Sequence, residues 1–114
     1  MATDCLFCKI VAGTIPAKRL HEDERSLAFA DVNPQAPTHL LIIPKEHIAS
    51  HAETEAAQAE LLGHLLATAA ELARARGLSR GYRLVINTGP DGGQTVDHLH
   101  VHLLGGRAMG WPPG

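Results

Sequence analysis

One stretch near the end of the chain constrains the fold more than any other. From Asp97 to Leu104 the residues read Asp-His-Leu-His-Val-His-Leu-Leu, so histidines alternate strictly with aliphatic residues. Strict alternation is typical of a half-buried β-strand, because successive side chains point to opposite faces of the sheet. We therefore predict a strand over 97–104 with Leu99, Val101 and Leu103 in the core. The histidines then stand in a row on the other face, about 7 Å apart for every two residues.

These histidines, His98, His100 and His102, form a chemically active surface. A neutral imidazole can act as a nucleophile, a general base or a metal ligand near pH 7. The alternative is a solvent-facing strand that happens to be rich in histidine. Solvated strand faces usually carry Thr, Lys or Glu, so we favour the functional interpretation.

Composition and charge exclude several classes of protein. The chain has 114 residues, 45% hydrophobic and 19% charged, which predicts a single domain over 1–114 of ordinary globular composition. The net charge of −2 lacks the basic field that duplex nucleic acid requires. No apolar run could span a bilayer, and the first residues lack a charged region followed by an apolar signal core. We expect a cytoplasmic protein with no nucleic-acid or membrane partner.

Hydrophobic periodicity and turn residues predict the order of the elements. In order, we predict a short helix over 5–11 that ends at Gly13, a hairpin of strands over 18–21 and 26–32, a loop over 33–38, a central strand over 39–43, a helix over 54–76 with Thr54 as N-cap and Gly77 as stop, a strand over 82–88, and the histidine strand. Together they predict an α+β architecture, with one long helix on a mostly antiparallel sheet of about five strands.

A glycine-rich loop over 89–95, Gly-Pro-Asp-Gly-Gly-Gln-Thr, leads directly into the histidine strand. Gly92 and Gly93 allow backbone amides to approach an anion closely, and Gln94 and Thr95 add side-chain donors. The alternative is a simple hairpin turn, which Asp-Gly favours by itself. Because the loop leads into three aligned imidazoles, we interpret it as a phosphate-binding loop.

Cys5 and Cys8 form a C-x-x-C pair near the start of the chain. In a reducing compartment this spacing favours a metal or redox pair over a structural disulfide. The alternative is two buried apolar thiols one helical turn apart. His21, His51 and His64 are interpreted as surface histidines.

The stretch from His98 to Leu104 matches the H-φ-H-φ-H-φ-φ signature (φ apolar) of the histidine triad (HIT) superfamily, which this chain resembles. Further stretches resemble its Hint branch, the nucleoside phosphoramidases: Ile15-Pro16-Ala17-Lys18, Phe29-Ala30-Asp31, Pro34-Gln35-Ala36-Pro37-Thr38-His39, Gly81-Tyr82-Arg83, Asp91-Gly92-Gly93-Gln94 and Trp111-Pro112-Pro113-Gly114. The resemblance covers nearly the whole chain and implies the HIT fold.

The resemblance implies a catalytic mechanism. In this family the middle histidine, His100 here, attacks the α-phosphorus of a nucleotide and carries a nucleotidyl intermediate, which water releases as the nucleoside monophosphate. An unprotonated imidazole acts here by covalent catalysis. The resemblance makes His98 an orienting residue and His102 a group that stabilises charge on the phosphate oxygens. It places Thr95 where a hydroxyl passes a proton to the departing amine.

The resemblance also implies a binding site for a purine nucleotide of the AMP or GMP type. Asp31 would accept the ribose hydroxyls, Asn87 would bond the phosphate or the leaving group, and Phe29 and Val32 would line the base pocket. From the residues alone, we would favour a turn role for Asp31, and Asn87 at a strand end is likewise often structural. The implied set is Phe29, Asp31, Val32, His39, Asn87, Gly93, Gln94, Thr95, His100, His102 and Trp111.

The chain departs from the best-known Hint proteins at two places. Asp97 stands where relatives tend to carry an aromatic residue, and strand alternation turns it away from the histidines. The C-x-x-C pair resembles that of many bacterial HIT proteins, in which two cysteines, a histidine in a Pro-Lys-x-His stretch and the first triad histidine hold zinc. The implied ligands are Cys5, Cys8, His47 and His98, a closed set of the structural type. We expect no organic cofactor.

These observations predict a homodimeric nucleotide-binding hydrolase that cleaves nucleoside 5′-phosphoramidates through an intermediate on His100. Two alternatives stay open: a nucleotide sensor or scaffold with incidental hydrolysis, and a metal-centred hydrolase with the three histidines as zinc ligands. Leu62 and Leu66 extend the apolar surface of the long helix beyond what one small sheet covers, which favours a two-fold partner. The resemblance implies that the segment 105–114 reaches the partner's active site.

Overall fold

The structure is a computed structural model that describes residues 4–114. These residues form one β-sheet and two α-helices. The helices are α1, Leu6–Ala12, and α2, Ala59–Ala75. The strands are β1 Arg19–Glu22, β2 Ser26–Ala30, β3 Thr38–Pro44, β4 Tyr82–Val85 and β5 Val101–Gly105. No helix in the described residues is both long enough and apolar enough to cross a membrane.

The five strands lie in the order β1-β2-β3-β5-β4, and every neighbouring pair is antiparallel. The predicted α+β architecture is therefore confirmed, with β3 at the centre of the sheet. A central strand is covered on both faces, which is why its sequence is a continuous apolar run. Six of its seven residues are buried, and Thr38 is half-buried.

The two faces of the sheet are covered differently. On one face α2 packs Leu65, Ala69 and Leu72 against the apolar residues of β3 and β5, and on the other α1 packs Phe7 and Ile10 against β2 and β3. The side chains of β3 alternate between these two clusters, as the pleat requires. Helix α1 is short and covers only the β2–β3 half of its face. The β5–β4 half of that face is left for the C-terminal segment and the site described below.

The long helix begins later than predicted. Thr54 is not its N-cap, because the Thr54 hydroxyl donates to the carbonyl of His51 at 2.7 Å and closes a 3-10 turn over His51–Glu53. Glu55 and Gln58 then form a capping box on a second 3-10 turn, Ala56–Gln58, before α2 starts. The C-terminal end is as predicted, since Gly77 takes a left-handed φ of 70° directly after the helix.

Strand β5, Val101–Gly105, is shorter than the predicted strand over 97–104. The register places Val101 opposite Ile42, so a longer β5 would bring Leu99 opposite Pro44. Proline has no amide hydrogen to give a ladder, and the Leu99 amide donates instead to the carbonyl of Ile48 at 2.6 Å. Alternation nevertheless persists, because Leu99, Val101 and Leu103 all lie in the α2 cluster as predicted.

Strands β2 and β4 are also shorter than predicted, whereas β3 extends one residue beyond the predicted 39–43 at each end. Strand β4 ends at Val85 and not at Thr88, and β2 ends at Ala30, so Asp31 and Val32 lie in the turn that follows. The predicted hairpin of β1 and β2 is present. The ends of β2 and β4, where pairing stops, border the two cavities of the candidate site.

Candidate active site and metal centre

The three triad histidines lie on the face of the sheet that α1 partly covers. His98 and His100 are buried, and His102 is half-buried. The rings of His100 and His102 are 4.9 Å apart between centroids, and the Phe7 ring packs edge-on against His100 at 5.2 Å. The shared face predicted from alternation is therefore present, although the segment before Val101 is not a paired strand.

A main-chain carbonyl determines which ring nitrogen of His100 carries the hydrogen. Its Nδ1 lies 2.7 Å from the carbonyl oxygen of His98. A carbonyl oxygen only accepts, so Nδ1 carries the hydrogen, and Nε2 of the neutral ring keeps a lone pair. Nε2 is the nitrogen that can act as a nucleophile or base.

His102 has a different environment. Its Nδ1 lies 2.9 Å from Nε2 of His39, and Nε2 of His39 lies 3.4 Å from the Asp31 carboxylate. Burial lowers the pKa of His102 to about 4, and the neighbouring His100 and His39 add to the shift. Burial also lowers the pKa of His39, against the opposing attraction of Asp31. Both rings are therefore neutral at pH 7.

Two cavities meet at His102. The first, of about 470 Å³, is mostly apolar and has Phe29, Asp31, Val32 and Thr95 in its wall, with His100 and His102 at one end. Asp31 also stabilises the turn after β2, because its Oδ1 accepts the Asn33 amide hydrogen at 2.8 Å. The interpretation of Asp31 as a turn residue therefore holds in part. The residues predicted for the base and ribose are thus gathered around one cavity.

The second cavity, of about 700 Å³, lies between the sheet and the C-terminal segment. His39 and His102 form its inner wall, and Asn87 and Gly92 lie beside them. Two arginines tie the C-terminal part of the chain to this wall: the Arg83 guanidinium donates to the Gly110 carbonyl at 2.7 Å, and Arg107 Nε donates to the Gln35 carbonyl at 3.0 Å.

Trp111 is not brought to either cavity of its own chain. Its side chain is 83% exposed, and it follows directly after Gly110, where the arginine contact ends. The indole of Trp111 therefore leaves a large, rigid apolar surface open to solvent.

The glycine-rich loop corrects one prediction. Gln94 does not offer donors to a ligand, because its amide nitrogen donates to the carbonyls of Ala49 and Val96 and its oxygen accepts the Gly89 amide hydrogen. Gln94 therefore holds the loop in shape. Gly92 is required sterically, since a Cβ there would lie 2.3 Å from the Thr88 carbonyl oxygen. Gly92, and not Gly93, lines a cavity.

The four predicted metal ligands come together. Nδ1 of His98 lies 3.3 Å from Sγ of Cys5 and 3.5 Å from Sγ of Cys8, and Nδ1 of His47 lies 3.3 Å from Sγ of Cys8. Tetrahedral zinc with ordinary bond lengths separates a sulfur and a nitrogen ligand by about 3.5 Å. All four donor atoms lie within 4.8 Å of one another.

The surroundings of this cluster fit a metal ion as well. Nε2 of His98 donates to the Pro44 carbonyl at 2.9 Å, so Nδ1 presents its lone pair to the thiols, as a metal-ligating histidine does. Burial raises the pKa of the Cys8 thiol to about 11, and Cys5 beside it adds to the shift. The Cys8 thiol therefore stays protonated at pH 7 unless a cation compensates the charge.

The triad does not form a single metal centre. Within residues 4–114, donor atoms of three or more such side chains converge at Cys5, Cys8, His47 and His98 and at Asp31, His39 and His102. His98 belongs to the first group and His102 to the second, so the geometry gives no support to zinc held by all three histidines. Asp97 is exposed, although alternation would place it on the face of Leu99 and Val101.

Two of the histidines interpreted as surface residues have a structural partner. Nε2 of His21 and Nε2 of His64 lie 2.8 and 2.9 Å from the same carboxylate oxygen of Asp23. Ser26 and the Arg25 amide also donate to this carboxylate. The contact joins the β1–β2 turn to α2. Because 41 residues separate Asp23 from His64, no local pattern in the sequence could have revealed it.

Comparison with known proteins agrees with this geometry. The family model described as HIT domain matches residues 12–109. A HIT-like protein of Synechococcus elongatus is 57% identical over 114 residues, with both chains fully covered. A 14 kDa zinc-binding protein of Zea mays is 54% identical over 111 residues, covering 96% of this chain and 87% of that protein.

Among solved structures, a HIT family hydrolase from Legionella pneumophila superposes with a TM-score of 0.95 at 58% identity. The match covers 96% of this chain and 99% of the Legionella chain. Sequence and structure therefore agree along almost the whole length, and the chain belongs to the HIT domain family.

Proposed function

We propose that this protein is a nucleotide-binding hydrolase of the Hint type that cleaves nucleoside 5′-phosphoramidates, with His100 as the nucleophile. The observation that carries the proposal is the hydrogen bond between His100 Nδ1 and the His98 carbonyl. In the neutral form of the ring it leaves the lone pair on Nε2, next to the point where the two cavities meet. The HIT family hydrolase from Legionella, at 58% identity, supports the general class of reaction.

The proposed pose follows from the shapes and polarity of the cavities. The nucleoside occupies the apolar cavity, with the base against Phe29 and Val32 and the ribose hydroxyls on the Asp31 carboxylate. The α-phosphate then lies between His100 and His102. The leaving amine points into the second cavity, beside Asn87 and the C-terminal segment.

The proposed reaction proceeds in two displacements. Nε2 of His100 forms a bond to the α-phosphorus while the bond from phosphorus to the amine nitrogen breaks. The amine leaves with a proton from the Thr95 hydroxyl, which takes a replacement proton from solvent water. Water then attacks the phosphorus of the nucleotidyl-histidine and releases the nucleoside monophosphate and free His100. The covalent intermediate divides one difficult substitution into two easier ones.

We further propose that Cys5, Cys8, His47 and His98 hold a structural zinc ion. The zinc-binding name of the maize relative and the donor distances support this assignment. When bound, the ion fixes the geometry of its ligands and takes no part in bond breaking. Held in this way, His98 presents its carbonyl to Nδ1 of His100 in one orientation.

We also propose a cytoplasmic homodimer. Leu66 on α2 and Tyr82 on β4 are each 43% exposed, and Trp111 is 83% exposed. Exposed apolar groups on one helix and the adjacent edge strand favour a self-complementary contact with a second copy. Trp111, which reaches neither cavity of its own chain, is then free to approach the site of the partner.

The decisive experiment is intact mass spectrometry after rapid mixing with an adenosine 5′-phosphoramidate, followed by mapping of the adduct. We expect a transient adenylyl adduct on the peptide that contains His100. Turnover without any adduct would refute the covalent mechanism. Tight nucleotide binding without turnover would favour the sensor or scaffold alternative, and loss of all turnover on mild zinc removal from folded protein would favour a metal-centred reaction.

A further inference from the structure

A main-chain group determines which ring nitrogen of His39 carries the hydrogen. The backbone amide of Gln35 donates its hydrogen to Nδ1 of His39 at 3.0 Å. An amide nitrogen cannot accept in return, so Nδ1 of His39 holds a lone pair. A neutral imidazole carries one hydrogen, and in His39 that hydrogen is therefore on Nε2. A doubly protonated ring is disfavoured as well, because its Nδ1–H would face the Gln35 amide hydrogen.

The position of the hydrogen on His39 in turn determines which nitrogen of His102 carries its hydrogen. Nε2 of His39 lies 2.9 Å from Nδ1 of His102, so the hydrogen on His39 is donated to His102. Nδ1 of His102 accepts it, and the neutral His102 ring carries its own hydrogen on Nε2. The reverse direction would leave His39 with no hydrogen on either nitrogen, which is an anion in a buried site.

The end of this chain is a donor without a partner. Nε2 of His102 is buried and makes no hydrogen bond within residues 4–114. Buried polar groups are almost always paired, so an unpaired donor marks a place that a bound molecule completes. His102 lines both cavities, and its ring lies 4.9 Å from that of His100. A phosphate attacked by His100 would present oxygen atoms to this donor.

A metal ion is the competing explanation, because Asp31, His39 and His102 bring three donor atoms together. A histidine that ligates a metal through one nitrogen donates the hydrogen of the other nitrogen to an acceptor. Nδ1 of His39 instead faces a donor, the Gln35 amide. Metal binding at Nε2 would therefore require His39 to lose its last hydrogen.

We infer that His39 is a positioning residue that fixes the hydrogen of His102 on Nε2, through a hydrogen-bond chain that starts at the Gln35 amide. His102 thereby becomes a preorganised donor to the phosphate oxygens as negative charge develops on them. The catalytic consequence rests on the proposed function, whereas the proton arrangement itself does not.

The test combines spectroscopy with kinetics on the zinc-loaded, full-length protein. Long-range ¹H–¹⁵N correlation spectra of nucleotide-free protein at neutral pH report which nitrogen of each histidine carries the hydrogen. The variants are His39→Leu, which removes the donor, and His39→Gln, whose amide restores a donor toward His102. His51→Gln, in an exposed turn, is the matched control and also helps to assign the spectrum.

We expect His102 to be the Nε2–H form in the parent protein and in His39→Gln, and a mixture of both forms in His39→Leu. With an adenosine phosphoramidate, His39→Leu should lower kcat by about 10- to 100-fold, approaching the effect of a missing oxyanion donor. KM should change by less than about threefold, and His39→Gln should restore most of kcat.

Two results would overturn the inference: an Nδ1–H form of His102 in the parent protein, or an unchanged Nε2–H form in His39→Leu. If His39→Leu does not fold, the parent spectrum and His39→Gln decide, since a mixed His102 in the latter contradicts the inference. If the parent protein releases no AMP from any phosphoramidate, the proposed function fails, yet the spectra still decide the proton arrangement.

Discussion

The carbonyl oxygen of His98 accepts the Nδ1 hydrogen of His100 at 2.7 Å. The imidazole of the same His98 lies 3.3 Å from the Cys5 sulfur and donates through Nε2 to the Pro44 carbonyl. One residue therefore belongs to two sites, through its side chain to the metal cluster and through its main chain to the candidate nucleophile. Any change that moves the cluster also moves the group that orients His100.

The first prediction concerns the nucleophile. His100→Ala should lower kcat for an adenosine phosphoramidate by at least about 10³-fold, because covalent catalysis is removed. Nucleotide affinity, measured by titration calorimetry, should change much less, since Phe29, Asp31 and Val32, the proposed contacts to the base and the ribose, are unchanged. His51→Ala is the control. A His100→Ala variant that retained a tenth or more of the parent activity would contradict the mechanism.

The second prediction concerns zinc. Elemental analysis of the purified protein should give about one zinc per subunit, and Cys8→Ser should lower this content. Removal of the ion should lower Tm by several degrees, because a closed set of four ligands acts on folding. Activity of the protein that remains folded should fall less. Absence of metal together with two titratable free thiols would refute the zinc site.

The third prediction concerns the contact between the β1–β2 turn and α2. Partial burial opposes ionisation of Asp23, yet hydrogen bonds from His21, the Arg25 amide, His64 and Ser26 together hold the pKa of Asp23 well below its ordinary value. Asp23→Asn should therefore lower the free energy of unfolding at pH 7 by about 1.5 to 3 kcal/mol, the range for hydrogen bonds to a charged group.

The pH dependence of this effect follows from the direction of the shift. A carboxyl group with a depressed folded pKa contributes stability above its unfolded pKa of about 4, and the contribution disappears as the pH falls below that value. The difference between parent and Asp23→Asn, measured by urea unfolding, should thus shrink from pH 5 to pH 2. Glu71→Gln on the exposed side of α2 is the control. A difference independent of pH would contradict the assignment.

The fourth prediction concerns the C-terminal tail. Deletion of 111–114 leaves the Arg83–Gly110 contact in place, so we expect a folded dimer by sedimentation. Selectivity among leaving groups should change, because the tail borders the second cavity, and small phosphoramidates should be affected least. A parent protein that is monomeric at micromolar concentration would contradict the dimer. Unchanged kinetics over a panel of amines would contradict the role of the tail.

Local patterns in the sequence determined the layers of the fold and the residues that face the site. The alternation around Leu99, Val101 and Leu103 placed these side chains in the core, and the three histidines on the opposite face followed from the pleat alone. Gly13 and Gly77 ended the two helices as predicted, because each takes a left-handed φ that other residues avoid. Hydrophobic periodicity and helix stop signals involve residues only a few positions apart, so helices and strands can be predicted from them in the sequence alone.

The tertiary structure alone decided what each polar side chain does. The hydrogens of two site imidazoles are fixed by distant parts of the chain: His98 donates to the Pro44 carbonyl, 54 positions away, and His39 donates to His102, 63 positions away. The sequence offered Gln94 as a ligand donor, but its donors are used on Ala49 and Val96. The sequence also predicted His64 as a surface residue, but its ring contacts the carboxylate of Asp23 in the β1–β2 turn. A hydrogen bond depends on which distant segments the packed core brings within about 3 Å, and no local pattern encodes that meeting.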